Sequence, residues 1–245
     1  MTQRRREKIK RQLIICASIL LFFAGLVIFS YPHIKGEQLE TEAAESIVQF
    51  VEAKQAERAK TNFSLLYPEL YREMQLYNQR IYEEKQSTLK DNPSYAEPSF
   101  RLSDYGVETE TIAVLNIPVL DLSMPVYLGA NEENMAIGAA HMSNTSLPVG
   151  GNNTNCVIAG HRGYSGADYF KYLDELKEGD SVQLVTLWNT LNYTVSEIQI
   201  IEPYEVEKIL IQEGRDLLTL LTCHPYASGG RYRYIVICER SYETI

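Results

Sequence analysis

From Leu13 to Tyr31 the chain carries no charged side chain. As a helix that run spans about 28 Å, close to the hydrocarbon thickness of a bilayer. Backbone in lipid must satisfy its own polar groups, so a single stretch of this kind is constrained to be a helix. Just before it stand Arg4, Arg5, Arg6, Lys8, Lys10 and Arg11 against one acid, Glu7, a local balance of +5. The remaining 17 basic and 31 acidic residues leave the rest of the chain at −14, within an overall −9. Lys and Arg hold their side of a span in the cytoplasm. Residues 1–11 therefore read as a cytoplasmic basic tail and residues 12–31 as an anchor in the lipid bilayer. Everything beyond them is expected outside the cell. The competing reading is a cleaved signal peptide. Against it, the apolar run exceeds the usual ~7–15 residues and no clean small-x-small site follows.

The acidic remainder excludes nucleic acid as the main partner, because phosphate binding needs clustered Lys and Arg. Of the four cysteines, Cys16 lies in the apolar run, and Cys156 and Cys238 sit in later apolar runs as small core residues. A bond between those two stays open at this stage and would leave Cys223 unpaired. No cysteine pair has knuckle spacing and no HExxH occurs, so neither a metal nor another cofactor is expected.

Residues 32–110 read as a helical extension. Glu37 to Lys60 is free of Gly and Pro, and Ile47, Val48 and Val51 supply an apolar stripe. After Pro68, the residues Leu70, Met74, Tyr77 and Ile81 fall on one helical face and predict packing. Pro93, Pro98 and Gly106 then break regular structure, and Asp91-Asn92-Pro93-Ser94-Tyr95 reads as a loop. From Thr111 the pattern is β. Runs at Ile112–Ile117, Pro125–Leu128, Cys156–Ala159, Ser181–Thr186, Asn192–Ile201, Leu217–Cys223 and Arg233–Cys238 are short and rich in Val, Ile, Leu, Thr and Tyr. They predict a mainly β barrel or sandwich over 111–245, with one short helix at Tyr169–Leu176. His141 lies in a polar stretch, Ala140 to Ser143, with either a surface role or one behind the site.

Three apolar runs end or begin on reactive groups. Thr219-Leu220-Leu221-Thr222 ends in Cys223, followed by His224 and Pro225; Val157-Ile158-Ala159-Gly160 ends in His161 and Arg162; Tyr234-Ile235-Val236-Ile237 starts after Arg233. Acyl chemistry on a thiol needs a nucleophile, a proton carrier and a fixed positive charge. The thiolate is the reactive form and nearby cations favour it, with His161 and Arg233 as candidates. Neighbours along a strand point to opposite faces, which turns His224 away from Cys223. Arg231 and Arg233 are two apart and share a face, so both stay in contention.

These segments, with Ile117-Pro118, Pro125-Val126-Tyr127 and Ser146-Leu147-Pro148-Val149-Gly150-Gly151, resemble the sortase family of bacterial transpeptidases over about residues 40 to 240. The resemblance implies a sortase-like eight-stranded β-barrel behind one N-terminal transmembrane helix. By motif position it makes Cys223 the nucleophile, His161 the general acid and base, and Arg233, which adjoins the apolar run, the clamp on the carbonyl oxygen. Thr222 and His141 fall behind them. The reaction implied is cleavage of a Leu-Pro-x-Thr-Gly-like sorting signal after Thr, a thioester on Cys223, and transfer to an amine. Two helices before the barrel and the run Ser146–Gly151 resemble class C, the pilin-polymerising type, with pilins or other surface proteins as partners. That class carries an Asp-Pro-aromatic lid. Here Asp91 and Tyr95 are the matching residues, with an insertion between them. After the last apolar run, Glu239, Arg240 and Glu243 supply no second span, so the reading has one anchor. Two further readings are a sortase using a peptidoglycan amine as acceptor and a non-catalytic, membrane-anchored binding protein. A cysteine protease using water is a lesser fourth.

Overall fold

A computed structural model describes residues 3–61, 65–91 and 95–242; the side chains of 3–7, 9, 90 and 91 lie outside the described set. The uncharged run sits in α1, one helix from Gln3 to Lys60. Its apolar stretch has mean hydropathy 2.8 and no burial against the protein, so it is long and apolar enough to cross a membrane. The expected separation of the anchor from a second helix at Glu37 does not occur. Pro32 removes one amide donor, but helix formation is cooperative, and the turns on both sides hold the rod continuous. The packed stripe also differs from expectation. Leu39 and Phe50 are buried and Ile47 packs on the core, whereas Val48 and Val51 remain exposed.

At the end of the apolar run α1 passes close to the barrel. A Cβ on Gly36 would lie 2.6 Å from the carbonyl carbon of Gly166, and one on Gly166 only 1.9 Å from the Pro32 carbonyl oxygen. Only paired glycines let backbone approach so near.

Helix α2, Pro68–Glu83, buries Leu70, Met74, Tyr77 and Ile81 as the periodicity predicts. Asn78 fastens it to the barrel: its Nδ2 donates to the Leu147 carbonyl at 3.2 Å and its Oδ1 accepts the Leu147 amide at 2.7 Å. The short α3, Ser87–Asp91, follows. Asp91 thus ends a helix rather than opening a loop; residues 92–94 lie outside the described residues.

The strands are β1 (Thr111–Ile117), β2 (Leu122–Leu128), β3 (Ala139–His141), β4 (Thr154–Ala159), β5 (Ser181–Thr186), β6 (Thr190–Ile201), β7 (Asp216–His224) and β8 (Tyr232–Arg240). Among the described residues they close a barrel in the order β1-β2-β3-β4-β7-β8-β6-β5. Closure leaves no edge with unpaired amides. Even-numbered residues of β4 and β7, among them Cys156, Ile158, Leu218 and Leu220, join the main core. Odd-numbered ones, Val157, Ala159 and Leu217, join a smaller outer cluster with Ile209. Leu218 lies between Cys156 and Cys238 in the ladders, two strand spacings apart, about 10 Å and beyond disulfide reach. Both thiols are free, and burial raises the pKa of each.

The loop and surface placement of His141 and the helix at Tyr169–Leu176 are overturned here. His141 belongs to β3 and is fully buried, because β3 is paired on both sides by β2 and β4. The helix expected at Tyr169–Leu176 is only a 3-10 turn, Leu173–Glu175, and Tyr169 itself is left-handed, with φ 44°. Between β2 and β3 lies α4, Glu132–Ile137, capped by Asn131, whose Oδ1 accepts the Asn134 amide at 2.8 Å.

Candidate active site

Strand β7 is central to the site because it is paired on both sides. With β4 it runs parallel, Thr154 to Asp216 through Ala159 to Leu221, a constant separation of 62 positions. The Gly160 amide donates to the Leu221 carbonyl at 3.0 Å, and Thr222 Oγ1 donates to the Gly160 carbonyl at 2.8 Å. The ladder ends there, and His161 follows directly on Gly160 at that strand end, 62 positions before Cys223. On the other side β8 runs antiparallel and pairs Arg233 directly with Cys223. Residues far apart in sequence are thereby adjacent across three neighbouring strand ends.

Side chains follow the ladder. Gly230 has φ +81°, and a Cβ there would lie 3.2 Å from Arg233 Nη1 and 3.3 Å from Cys223 Sγ. Sulfur and guanidinium therefore flank one glycine. Arg233 Nη1 donates to the Gly230 and Tyr232 carbonyls at 2.8 and 3.1 Å, fixing the group at the turn. Arg231 precedes β8 and is exposed.

His161 is half-buried and stacks on Tyr164, with centroids 4.7 Å apart and planes 14° from parallel. Its carbonyl accepts the Phe170 amide at 2.9 Å. Gly160 makes room for this packing, because a Cβ there would come within 2.6 Å of the Phe170 ring. Burial holds the His161 pKa below the usual imidazole range, and the Glu132 carboxylate opposes that. The neutral ring is favoured, and its protonated form is a correspondingly stronger acid.

Beside Arg233 a cavity of about 170 Å³ is lined by Tyr95, Ala130, Met142, Ala159, Leu221 and Ile209 among others. It is mostly apolar with the guanidinium at one side. Tyr95 belongs to a segment strapped across the barrel end. Its carbonyl accepts the Ala130 amide at 2.7 Å and the Ser143 amide at 3.4 Å, and Ser143 Oγ donates to the Glu97 carbonyl. Burial raises the Tyr95 hydroxyl pKa, with Arg233 near enough to oppose it. The side chain of Asp91, the other expected lid residue, lies outside the described residues. A larger cavity, about 440 Å³ between α1 and β2, contains none of the candidate groups.

The structure thus brings Cys223 and Arg233 together, sets His161 on the adjoining strand end and puts Tyr95 on the neighbouring cavity. Thr222 lies behind Cys223, joining β7 to Gly160. His141 is buried in β3 opposite Ile158, its Nε2 3.0 Å from the Ser146 carbonyl. Sequence reasoning missed Tyr164, Glu132, and an Arg162–Asp174 ion pair behind the strand ends. The repeated separation of 62, His161 to Cys223 and Arg162 to His224, was the one available signal.

The barrel matches known proteins. A family model described as "Sortase domain" covers residues 115–241. The chain is 26% identical over 129 residues to Sortase D of Bacillus subtilis, 52% of this chain and 62% of that protein. It is 31% identical over 116 residues to Sortase A of Streptococcus agalactiae, 46% of each. The chain spans about half to three fifths of the curated relatives it matches. Among solved structures, "Sortase C1 of GBS Pilus Island 1" superposes with TM-score 0.69 at 30% identity, over 83% of this chain and all of that one. Sortase C from Clostridium perfringens SM101 gives 0.59 at 28%, over 72% and 89%. With more than half of its length inside one family model and its barrel superposing on solved class C members, the chain belongs to the sortase family.

Proposed function

We propose that this protein is a cysteine transpeptidase of class C that joins pilin subunits at the outer face of the cell membrane. The observation that carries the reading is the pairing of Cys223 with Arg233 beside the strand end that bears His161. The family's chemistry needs a thiolate, a proton carrier and a fixed cation around one carbonyl. Cys223 Sγ attacks the carbonyl carbon of Thr in a Leu-Pro-x-Thr-Gly-like segment. Arg233 donates to the oxygen as it gains charge. His161, as imidazolium, gives its proton to the departing Gly nitrogen, and the Thr–Gly bond breaks to leave a thioester. The ε-amine of a lysine on the next subunit then attacks that thioester. His161, now neutral, accepts the amine's proton, an amide forms, and the Cys223 thiolate departs. The apolar cavity beside Arg233 suits the Leu and Pro side chains. The class follows the structural neighbours, whose titles include a pilus-island sortase and one with "pilin substrate specificity". The orientation follows the basic residues before the span.

Mass spectrometry of the full-length protein in detergent, mixed with a sorting-signal peptide, tests this. The wild type is expected to acquire the mass of the acyl fragment, and Cys223→Ala to acquire none. A lysine-bearing pilin fragment should then yield ladders of higher mass. If a peptidoglycan stem peptide were consumed and the pilin lysine were not, the acceptor would be the cell wall. Transfer by Cys223→Ala would remove the enzymatic reading.

A further inference from the structure

Each candidate site residue is followed by one that points the other way. Side chains alternate along β7 and β8, so His224 and Tyr234 face away from Cys223 and Arg233, and Arg162, in the bend after β4, meets them on that side. There they form a cluster of their own. Arg162 is 8% exposed. Its Nη1 donates to His224 Nδ1 at 2.7 Å, and its Nη2 pairs with the Asp174 carboxylate. Its Cζ lies 5.7 Å from the Tyr234 ring centroid, and the His224 ring stacks on Tyr234 at 5.6 Å and 29°. Arg162, itself next to His161, therefore touches the residues next to Cys223 and Arg233, plus the 3-10 turn Leu173–Glu175.

We propose that Arg162 is a positioning residue that clamps the ends of β4, β7 and β8, and that His224 is its hydrogen-bond acceptor rather than a second acid or base. The proposal rests on the assignment of Cys223, His161 and Arg233 above. Arginine only donates, so His224 Nδ1 carries a lone pair and the ring proton sits on Nε2. Arg162 Nε has no hydrogen-bond partner among the described residues, so His224 and Asp174 hold the polar side of the clamp. Beyond Ala159, β4 has left its ladder, and this clamp adds to the Gly160 bonds, the Phe170 amide on the His161 carbonyl and the Tyr164 stack in holding His161 near the end of β7. A displacement of 1 Å at a reacting group can cost about a hundredfold in rate.

The test compares His224→Asn with His224→Leu in the full-length protein, using a sorting-signal peptide and a lysine-bearing acceptor. Asn offers its Oδ1 near the place of Nδ1, so the clamp survives; Leu fills space without accepting. His224→Asn is expected to keep kcat within about threefold of wild type, while His224→Leu and Arg162→Met lose about thirtyfold or more in kcat with KM within about twofold. Arg162→Lys keeps the charge opposite Asp174 but loses the fork, and should fall between. Should Arg162→Met not fold, the Asn and Leu variants decide, each checked by its thermal midpoint. Asn as inactive as Leu would assign His224 to proton transfer and overturn the proposal, as would Leu at wild-type rate. Both outcomes leave Cys223→Ala inactive, whereas failure of the underlying assignment would leave Cys223→Ala competent.

Discussion

His141 shows how one buried ring can govern acid sensitivity. Its Nε2 faces the Ser146 carbonyl and Thr145 Oγ1, at 3.0 and 3.2 Å. A carbonyl only accepts, so Nε2 holds the proton and Nδ1, which has no partner among the described residues, is a bare lone pair. Burial pushes the pKa down to about 4. In the unfolded chain the ring takes up a proton near pH 6.5, and in the folded chain only near 4. The unfolded state binds more protons in that window, so stability is full above pH 6.5 and declines as pH falls toward 4, by roughly 3 kcal/mol in all. Urea unfolding between pH 7 and 4 should show this decline, and His141→Gln should remove that share of it; equal slopes in both proteins would contradict the assignment. His161 gives a second test with a defined sign. Glu132→Gln removes the charge that opposes burial, so the His161 pKa falls further. If the imidazolium is the acid of the first step, the alkaline limb of kcat/KM moves to lower pH. A limb that stays put, or moves up, would separate His161 from that role.

At the scale of elements, the strap around Tyr95 is the feature most open to test. Its backbone is bonded to Ala130 and Ser143, and its ring lines the cavity next to Arg233. Tyr95→Ala should raise the rate at which a small methanethiosulfonate modifies Cys223, about fivefold if the ring screens the thiol, and leave the thermal midpoint within a few degrees. An unchanged rate would mean the strap stands clear of the thiol. Legibility in the sequence tracked the length and period of each element. β5 alternates buried and open positions and was readable to the residue. β3 was not, because three residues have no period, and Ala139–His141 form a strand through their neighbours' amides. Six residues likewise hid α4, although Asn131 followed by Glu132 and Glu133 is a fair capping signal. For the candidate site, Cys223, His161 and Arg233 stood out because each terminates or opens an apolar run, and the family resemblance supplied the roles proposed for them. Their side-by-side pairing, and the Arg162–His224 contact behind it, depend on ladder register, which composition does not encode.

For the molecule as a whole, α1 carries a stretch long and apolar enough to cross a membrane and then packs on the barrel, and it meets the barrel backbone at Gly36 and Gly166. Gly36→Ala separates its effect from helix propensity. In a free helix the change stabilises by about 1 kcal/mol. Here the added Cβ would meet the Gly166 backbone at 2.6 Å, so the expected sign is reversed. The thermal midpoint of the full-length protein in detergent should fall; a rise would mean that the helix does not press on the barrel there. With residues 13–31 in lipid, a helical rise of 1.5 Å per residue puts Gly36 about 8 Å past Tyr31, at the level of the head groups. The turn that touches it begins at His161 and ends at Ala167. Because the rod is continuous, a helix so embedded would hold the cleft at a fixed height above the leaflet, like a tool on a short post. For the transpeptidase proposed above, that geometry would select clients by distance: a cleavable bond a few residues from its owner's own membrane span would come within reach, and the same bond at the tip of a long stalk would pass overhead.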